Sequence, residues 1–282
     1  MVFLVTCAEL PDGDEDAAAL TAALQRLGIE ARWQIWTDPE ARWDDTLTVL
    51  RSTWDYANVR DEFLRWARAV PHLVNPYELV EWNTDKTYLV ELADAGVPIV
   101  PTSCFAPGDD VRFPSGEFVL KPSVGAGSRG AGRFTPDRLD EARAHAAALQ
   151  AAGRTVVVQP YLDLVETAGE TALIYIDSSY SHAITKGAML PDGMVHPVDG
   201  WDLYVEERIS PRTADPAELE VGEQALAFLA ERGDAPLYTR VDLLPSPDGP
   251  LLGELEVTEP SLFLLHADGA VDRFAAAIAA RL

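Results

Sequence analysis

The chain is 282 residues long, 48% hydrophobic and 24% charged, which is enough apolar material for one large domain or several small lobes and excludes a disordered chain. Its 46 acidic side chains outnumber 22 basic ones, and the formal charge of −24 repels nucleic-acid backbones and anionic bilayers, so neither nucleic acid nor membrane is an expected partner. A nucleotide substrate then demands locally clustered cations or metal ions.

The apolar start Val2–Val5 is too short for a signal h-region and runs into the acidic stretch Asp12–Asp16, so it reads as a buried strand. No stretch approaches the roughly 18 apolar residues of a membrane span, and the expected location is the cytoplasm. Cys7 and Cys104 lack paired spacing and read as small core residues, without a disulfide framework or zinc site. The pattern predicts a strand over Val2–Thr6, a helix over Asp16–Leu27, and strands at Ile29–Ile35 and Leu47–Leu50. A helix over Asp61–Ala69 and a short strand at Leu73-Val74 follow. This βαβ alternation implies a small parallel sheet, whose binding groups lie beyond the carboxyl ends of its strands. Cys7–Leu10 and Arg51–Tyr56 then share one rim, where Arg51, Ser52 and Tyr56 are candidates to bind a substrate carboxylate or amine, with a structural ion pair as the alternative for Arg51. Trp33, Trp36, Trp43 and Trp66 are expected to pack this lobe.

A helix over Thr84–Ala95, with Lys86 in its first turn, is expected to lead into a second lobe. That lobe holds a strand at Phe118–Lys121, a glycine-rich loop from Gly125 to Gly132, a helix from Thr135-Pro136 to Gly153, and a strand at Val156–Gln159. Beyond Pro160 come a hairpin of Thr171–Ile176 and His182–Thr185 and a long loop from Pro191 to Arg208. Its His196, Asp199, Trp201 and Tyr204 are candidates to seal a small pocket or admit a second substrate. A helix over Pro216–Glu231, strands at Leu237–Leu244 and Leu251–Val257, and a helix over Val271–Leu282 complete the α/β chain, divided as 1–83, 84–160 and 161–282.

Gly125-Ala-Gly127-Ser-Arg-Gly130 matches the dinucleotide fingerprint letter for letter, but that fingerprint must open a helix directly after a strand. Here no helix can begin before about Thr135, so the loop reads as a flap joining two antiparallel strands, able to fold backbone N–H groups over phosphates while Lys121 approaches from below. The alternative is a hairpin without a ligand. Only three of the 22 basic residues are lysines, Lys86, Lys121 and Lys186, and a retained point charge where arginine serves elsewhere suggests a grip on phosphate. Alternation puts Arg240 and Asp242 on one strand face and Glu254 and Glu256 on one face of the next. Three carboxylates of this kind suit Mg²⁺ with bridging phosphates; the competing reading is a solvated acidic face. The five histidines, His72, His145, His182, His196 and His266, show no ligand spacing.

A mid-chain lysine before a glycine flap, the hinge strand ending Gln159-Pro-Tyr161-Leu162, then Arg-x-Asp and Glu-x-Glu strands resemble the ATP-grasp superfamily over roughly Lys86 to Ser261. Glu254-Leu-Glu-Val-Thr-Glu-Pro-Ser261 is similar to the metal-binding segment of prokaryotic glutathione synthetases, with Glu256 where an Asn is usual. Leu4-Val-Thr-Cys7, Arg51-Ser-Thr-Trp-Asp-Tyr56 and Trp82-Asn-Thr-Asp-Lys86 further resemble a bacterial subgroup that includes the O-ureido-serine cyclo-ligase of cycloserine biosynthesis. The resemblance implies an N-terminal pre-ATP-grasp lobe and two α+β lobes sandwiching ATP. It places Lys86 and Lys121, with Ser123, Gly125, Gly127 and Ser128 of the flap segment, on the nucleotide phosphates. Gln159, Tyr161 and Leu162 hold adenine, and Glu170 meets the ribose. Asp242, Glu254 and Glu256 carry Mg²⁺, expected as two ions with Mn²⁺ able to substitute. Arg240 and Lys186 serve the phosphoryl transfer, Ser261 adjoins the substrate, and a homodimer is plausible.

The implied activity is ATP-dependent conversion of an amino-acid-like carboxylate to an acyl phosphate that a nitrogen attacks. Ring closure within one molecule is the first reading and joining of two amino acids the second. A nucleotide-binding regulatory protein without catalysis is the alternative of another class.

Overall fold

The computed structural model describes residues 1–188, 190, 193–197 and 208–282. The first sheet is parallel, in the order β2-β1-β3-β4, from β1 (Val2–Thr6), β2 (Ala31–Ile35), β3 (Leu47–Ser52) and β4 (Leu73–Val74). The central pair β1 and β3 carry the apolar runs that a strand buried on both faces requires. Helix α1 (Ala17–Arg26) puts Leu20 and Leu24 inward, and α2 (Arg60–Ala69) does the same with Phe63, Leu64 and Ala67. Trp36, Trp43 and Trp66 form an aromatic cluster with Phe63 on the α2 side, while Trp33 packs on the opposite core. Cys7 N–H donates to the Ser52 carbonyl, so the two strand ends do form one rim.

A short helix not expected from the sequence, α3 (Tyr77–Asn83), comes first, and the helix expected over Thr84–Ala95 starts later, as the separate α4 (Tyr88–Asp94). Pro76 starts the first, and the Asp85 carboxylate caps the Thr87 N–H to start the second. Lys86 lies in the break, where its N–H donates to the Ser123 carbonyl at 2.8 Å rather than into a helical turn.

The second sheet is antiparallel, in the order β5-β8-β6-β7, from β5 (Ser103–Phe105), β6 (Phe118–Pro122), β7 (Gly132–Phe134) and β8 (Val156–Pro160). The glycine loop joins β6 to β7 as a hairpin flap, and α5 (Leu139–Ala151) covers the sheet. Phe105, Phe118, Leu120, Phe134, Leu149 and Val158 give this lobe its own core.

The third sheet, also antiparallel, runs β11-β10-β9-β12-β13. After the short α6 (Val165–Ala168) its strands are β9 (Glu170–Ile176), β10 (Ser179–Lys186), β11 (Ile209–Arg212), β12 (Tyr238–Leu244) and β13 (Leu251–Glu256). Helix α7 (Pro216–Glu231) opens on a capping box of Asp215 and Glu218, and α8 (Ala270–Ala279) packs between the first and third sheets. Leu4, Leu20 and Val49 share one core with Ile174, Tyr238 and Phe274, whereas Leu79, Leu89 and Leu92 pack on Leu173, Val241 and Leu255. Val80 and Tyr77 pack on the first-lobe core beside Phe63, while Leu79, Leu89, Leu92 and Val97 pack on the third sheet, so the stretch around residue 84 bridges the two.

Two buried asparagines join the first part of the chain to the third sheet. Asn75 Nδ2 donates to the Tyr238 and Val257 carbonyls while its Oδ1 accepts from Leu237 N–H. Asn83 Nδ2 donates to the Leu255 carbonyl at 2.7 Å, and its Oδ1 accepts from Val257 N–H at 2.9 Å and from the Thr258 hydroxyl. Asn83 therefore completes the outer edge of β13 as another strand would. Replacing Asn83 by Leu strands two buried backbone groups, so denaturant unfolding should show a loss of about 2–4 kcal/mol; a loss below about 0.5 kcal/mol would mean that water or a neighbour replaces the amide.

Candidate active site

A cavity of about 530 Å³ opens between the three sheets. Its floor is the β12–β13 pair, where Arg240 lies opposite Glu256 and Asp242 opposite Glu254. Val241, Leu243 and Leu255 fill the other face of these strands, so strand alternation alone directs the four charged side chains into the cavity.

The three lysines, separated by at least 35 positions, all reach these acids. Lys121, from β6, donates to Glu254 at 2.7 Å; Lys86, from the α3–α4 break, lies 3.8 Å from the same carboxylate and donates to the Gly125 carbonyl of the flap. Lys186, at the end of β10, donates to Asp242 at 2.8 Å and pairs with Glu170. Arg240 bridges Asp242 at 2.9 Å and Glu256 at 2.7 Å, and its other amino group donates to the Ser261 carbonyl. Burial works to raise the Glu254 carboxyl, but Lys121 and Lys86 outweigh it and hold that group well below the usual carboxylate range. Asp242 is also held low, because Arg240 and Lys186 outweigh burial. Glu256 is pushed up by burial, with Arg240 only partly compensating its acidic neighbours. The oxygen-only donor set suits a hard cation. Among the described residues, however, no three such side chains close into a ready-made metal cage.

The opposite wall comes from the second lobe. Gln159, Tyr161 and Leu162 line it, with Gln159 Nε2 donating to the Thr102 hydroxyl. The Arg133 guanidinium lies 3.5 Å from the Tyr161 ring centre and is held by Glu117 and Glu166. Sequence reasoning missed Arg133, whose only signal was its place in the strand after the flap. Gly125, Gly127 and Ser128 face the cavity, the last two in left-handed conformation. Ser123 does not: it is buried, and its carbonyl instead fixes the Lys86 backbone.

On the first-lobe side only Tyr56 of the three expected substrate residues lines the cavity. Arg51 is fully buried, donates to Asp14 at 3.0 Å and lies 3.9 Å from Asp16, with its guanidinium 5.3 Å from the Phe274 ring centre. Asp16 in turn accepts the N–H groups of Leu264 and Leu265. Ser52 is equally buried, against the Thr6 hydroxyl. The substrate-binding expectation for Arg51 and Ser52 is therefore corrected: Arg51, through Asp16 and Phe274, fastens the first lobe's rim to the segment after β13, and Ser52 ties β3 to β1 within that lobe. The expectation overlooked Asp14 and Asp16, which give the arginine its partners inside the protein.

Three further cavity residues were not foreseen. Arg129 of the flap donates to the Trp54 carbonyl at 2.8 Å, Trp54 Nε1 donates to the Glu259 carbonyl at 2.9 Å, and Glu259 itself faces the cavity. The expected loop is only partly described: His196 N–H donates to the Ala131 carbonyl beside the flap, while Asp199, Trp201 and Tyr204 lie outside the described residues.

Comparison with known proteins gives the chain's family. Residues 2–75 match the family model described as the N-terminal domain of D-cycloserine synthetase DcsG. The chain is 40% identical, over 301 residues covering 100% of it and 99% of the relative, to the cycloserine biosynthesis protein DcsG of Streptomyces lavendulae. It superposes on the crystal structure of D-cycloserine synthetase DcsG with a TM-score of 0.90 at 38% identity, covering 99% of each chain. More distant matches share the fold: ATP-grasp ligase PsnB with its minimal precursor, at TM-score 0.63, 20% identity and coverage of 100% and 99%, and D-alanine–D-alanine ligase from Bacillus anthracis with ATP, at 0.66, 14%, and 99% and 96%.

Glu170 has a measurable consequence. Burial pushes its carboxyl up from 4.5 to about 7, since Lys186, shared with Asp242, only partly compensates. The folded protein therefore keeps a proton that the unfolded chain releases above about pH 4.5, and this group's contribution to stability falls as pH rises from about 4.5 to about 7. Glu170→Gln should gain stability over the parent by on the order of 1 kcal/mol between pH 5 and pH 8, a figure kept small because the side chain is 20% exposed. Parallel stability profiles in denaturant across that range would contradict the assignment.

Proposed function

The chain belongs to the DcsG family of ATP-grasp ligases, and on that premise we propose that it closes an O-ureido-serine-type amino acid of D configuration into a cycloserine-type ring, with ATP cleaved to ADP and phosphate. The observation that carries this reading is the meeting of Lys86, Lys121, Lys186 and Arg240 with the acids of β12 and β13 in one cavity.

Without a ligand these charges neutralise one another. A triphosphate entering between β6 and β13 offers the three ammonium groups better-matched oxygens, and Asp242, Glu254 and Glu256 are then released to oxygen-loving cations. Mg²⁺, in two positions and replaceable by Mn²⁺, supplies charge neutralisation at the phosphoryl oxygens when bound. Gln159, Tyr161 and Leu162 hold the adenine in a flat slot with one polar edge, and Glu170 accepts from the ribose. Gly125, Gly127 and Ser128 close over the phosphates and exclude water, which would hydrolyse the acyl phosphate. Lys186 and Arg240 stabilise the charge that develops as the substrate carboxylate takes the phosphoryl group. The ureido nitrogen bonded to oxygen then attacks the acyl carbon and gives up its proton as phosphate leaves, and the carbamoyl group it still carries is removed by hydrolysis as carbon dioxide and ammonia, which leaves the cycloserine-type ring. Tyr56 and Ser261 border the substrate end of the cavity. The carboxylate of Glu256, where this superfamily usually has an uncharged amide, is held by Arg240, so the two act as a pair. The proposal includes a homodimer working in the cytoplasm; no described helix is long and apolar enough to cross a membrane.

The test is phosphate and ADP release with single amino acids and with pairs. O-ureido-D-serine alone should support turnover, and an absolute requirement for a second amino acid would establish intermolecular ligation instead. Asp242→Asn or Glu254→Gln should lower the rate by roughly 10² or more with the fold retained, as expected for loss of a group that organises transition-state charge; rates like those of the parent protein in both variants would remove the metal-strand assignment.

A further inference from the structure

The carboxylates that line the cavity divide sharply by how they are compensated. Asp14 is held by Arg51, and Asp16 by Arg51 and two backbone N–H groups. Glu170 and Asp242 are held by Lys186, Glu254 by Lys121, and Glu256 by Arg240. Glu15 is 60% exposed to water. Glu259 alone is both buried, at 7% exposure, and without a partner: among the described residues its carboxylate makes no hydrogen bond and no ion pair within 4.0 Å. Its oxygens are open to the cavity and not enclosed in packed protein, so a ligand entering there can supply the missing counter-charge.

Burial, reinforced by Glu256, pushes the Glu259 carboxyl well above the usual range, which expresses the same deficit. The backbone around it is nonetheless firmly placed. Its own carbonyl accepts from Trp54 Nε1 at 2.9 Å, and the Ser261 carbonyl accepts from Arg240 at 3.1 Å. The side chain is thus presented to the cavity by a fastened segment. Eight carboxylates but only five cations, Lys86, Lys121, Arg129, Lys186 and Arg240, line the described cavity wall. With Asp14 and Asp16 neutralised by Arg51 behind the wall and the floor acids by Lys86, Lys121, Lys186 and Arg240, Glu259 is the enclosed-side carboxylate left for a cationic group on the second substrate.

We propose that Glu259 binds the α-ammonium group of the amino-acid substrate and so sets which acids are accepted beside Arg240. This rests on the ligase reading above. In an amino acid the ammonium and the reacting carboxylate are separated by a single carbon, so the ammonium partner must stand next to the phosphoryl-transfer floor. The segment from Glu256, held by Arg240, to Ser261, whose carbonyl also meets Arg240, puts Glu259 there. Glu259 acts as a specificity residue, with no part in transferring a proton.

The experiment compares O-ureido-D-serine with its analogue lacking the α-amino group, in the parent protein and in Glu259→Gln, by ADP release and by calorimetric binding of each acid. Glu259→Gln should raise KM and Kd for the amino acid roughly 10- to 100-fold, the range for a charge-assisted contact, while leaving the values for the analogue within about threefold and KM for ATP unchanged. Glu259→Asp should recover part of the preference. The ratio of KM values within one preparation does not depend on how much of it folds. An unchanged amine-to-analogue ratio in Glu259→Gln, or a fall in kcat alone with both KM values preserved, overturns the inference and leaves the ligase reading standing. A parent protein that releases ADP with no amino acid at all overturns both.

Discussion

Charge compensation inside a low-dielectric cavity is the constraint on which the rest of this structure depends. Four acids and four cations from five strands and one interhelical break are brought within hydrogen-bonding or near range of one another. None of these groups tolerates burial alone, because an unpaired charge in the interior costs more than any single packing contact returns. The arrangement is held as a closed network in which each lysine meets a carboxylate. A chain with net charge −24 can hold a polyanion only through such local reversal of sign.

Keeping that network in register requires that β12 and β13 be fastened to the rest of the molecule. Asn75 and Asn83 supply amide groups to the strand edges, and Arg51 ties Asp14 and Asp16 to the region of Leu264 and Phe274. The first lobe and the third sheet thereby share cores, while the second lobe has a core of its own. The floor of the cavity is consequently built on the larger packed body, and the flap on the lobe that shares least apolar surface with it. This division suits a site whose metal-strand acids must stay fixed while the glycine loop admits and covers a ligand.

Much of this was readable from residues. The period of two in Arg240-Val-Asp242 and Glu254-Leu-Glu256, with apolar residues between, determines which face each charge takes, and the structure has them on the cavity floor. The flap was legible because Gly130-Ala-Gly132 and Pro136 leave no room for a helix after the loop. The break between α3 and α4 was hidden, because an Asx cap at Asp85 inside an apolar pattern looks like one more helical turn. Ion-pair partners were the least legible. Arg51 lies beside Trp54 and Tyr56 in the chain, and nothing local says that its guanidinium turns away from the rim toward residues 35 to 37 positions earlier. Ser123 was misjudged for a related reason: its backbone, not its hydroxyl, is what the site uses. Pairing across sequence distance is a property of the packed core, and periodicity carries no record of it.

Trp54 shows how one such long-range contact couples the lobes. Its carbonyl receives Arg129 from the flap and its indole N–H reaches the Glu259 carbonyl beyond β13, so one residue of the first lobe touches both other lobes. The Arg129 guanidinium is held below its usual basicity by burial, and one of its amino groups is buried with no hydrogen-bond partner. The flap is thus fastened to the first lobe through the Trp54 carbonyl, with that remaining donor enclosed in the protein. An acyl phosphate intermediate requires that water be kept from it, because hydrolysis at that stage would spend the activated carboxylate without forming a ring.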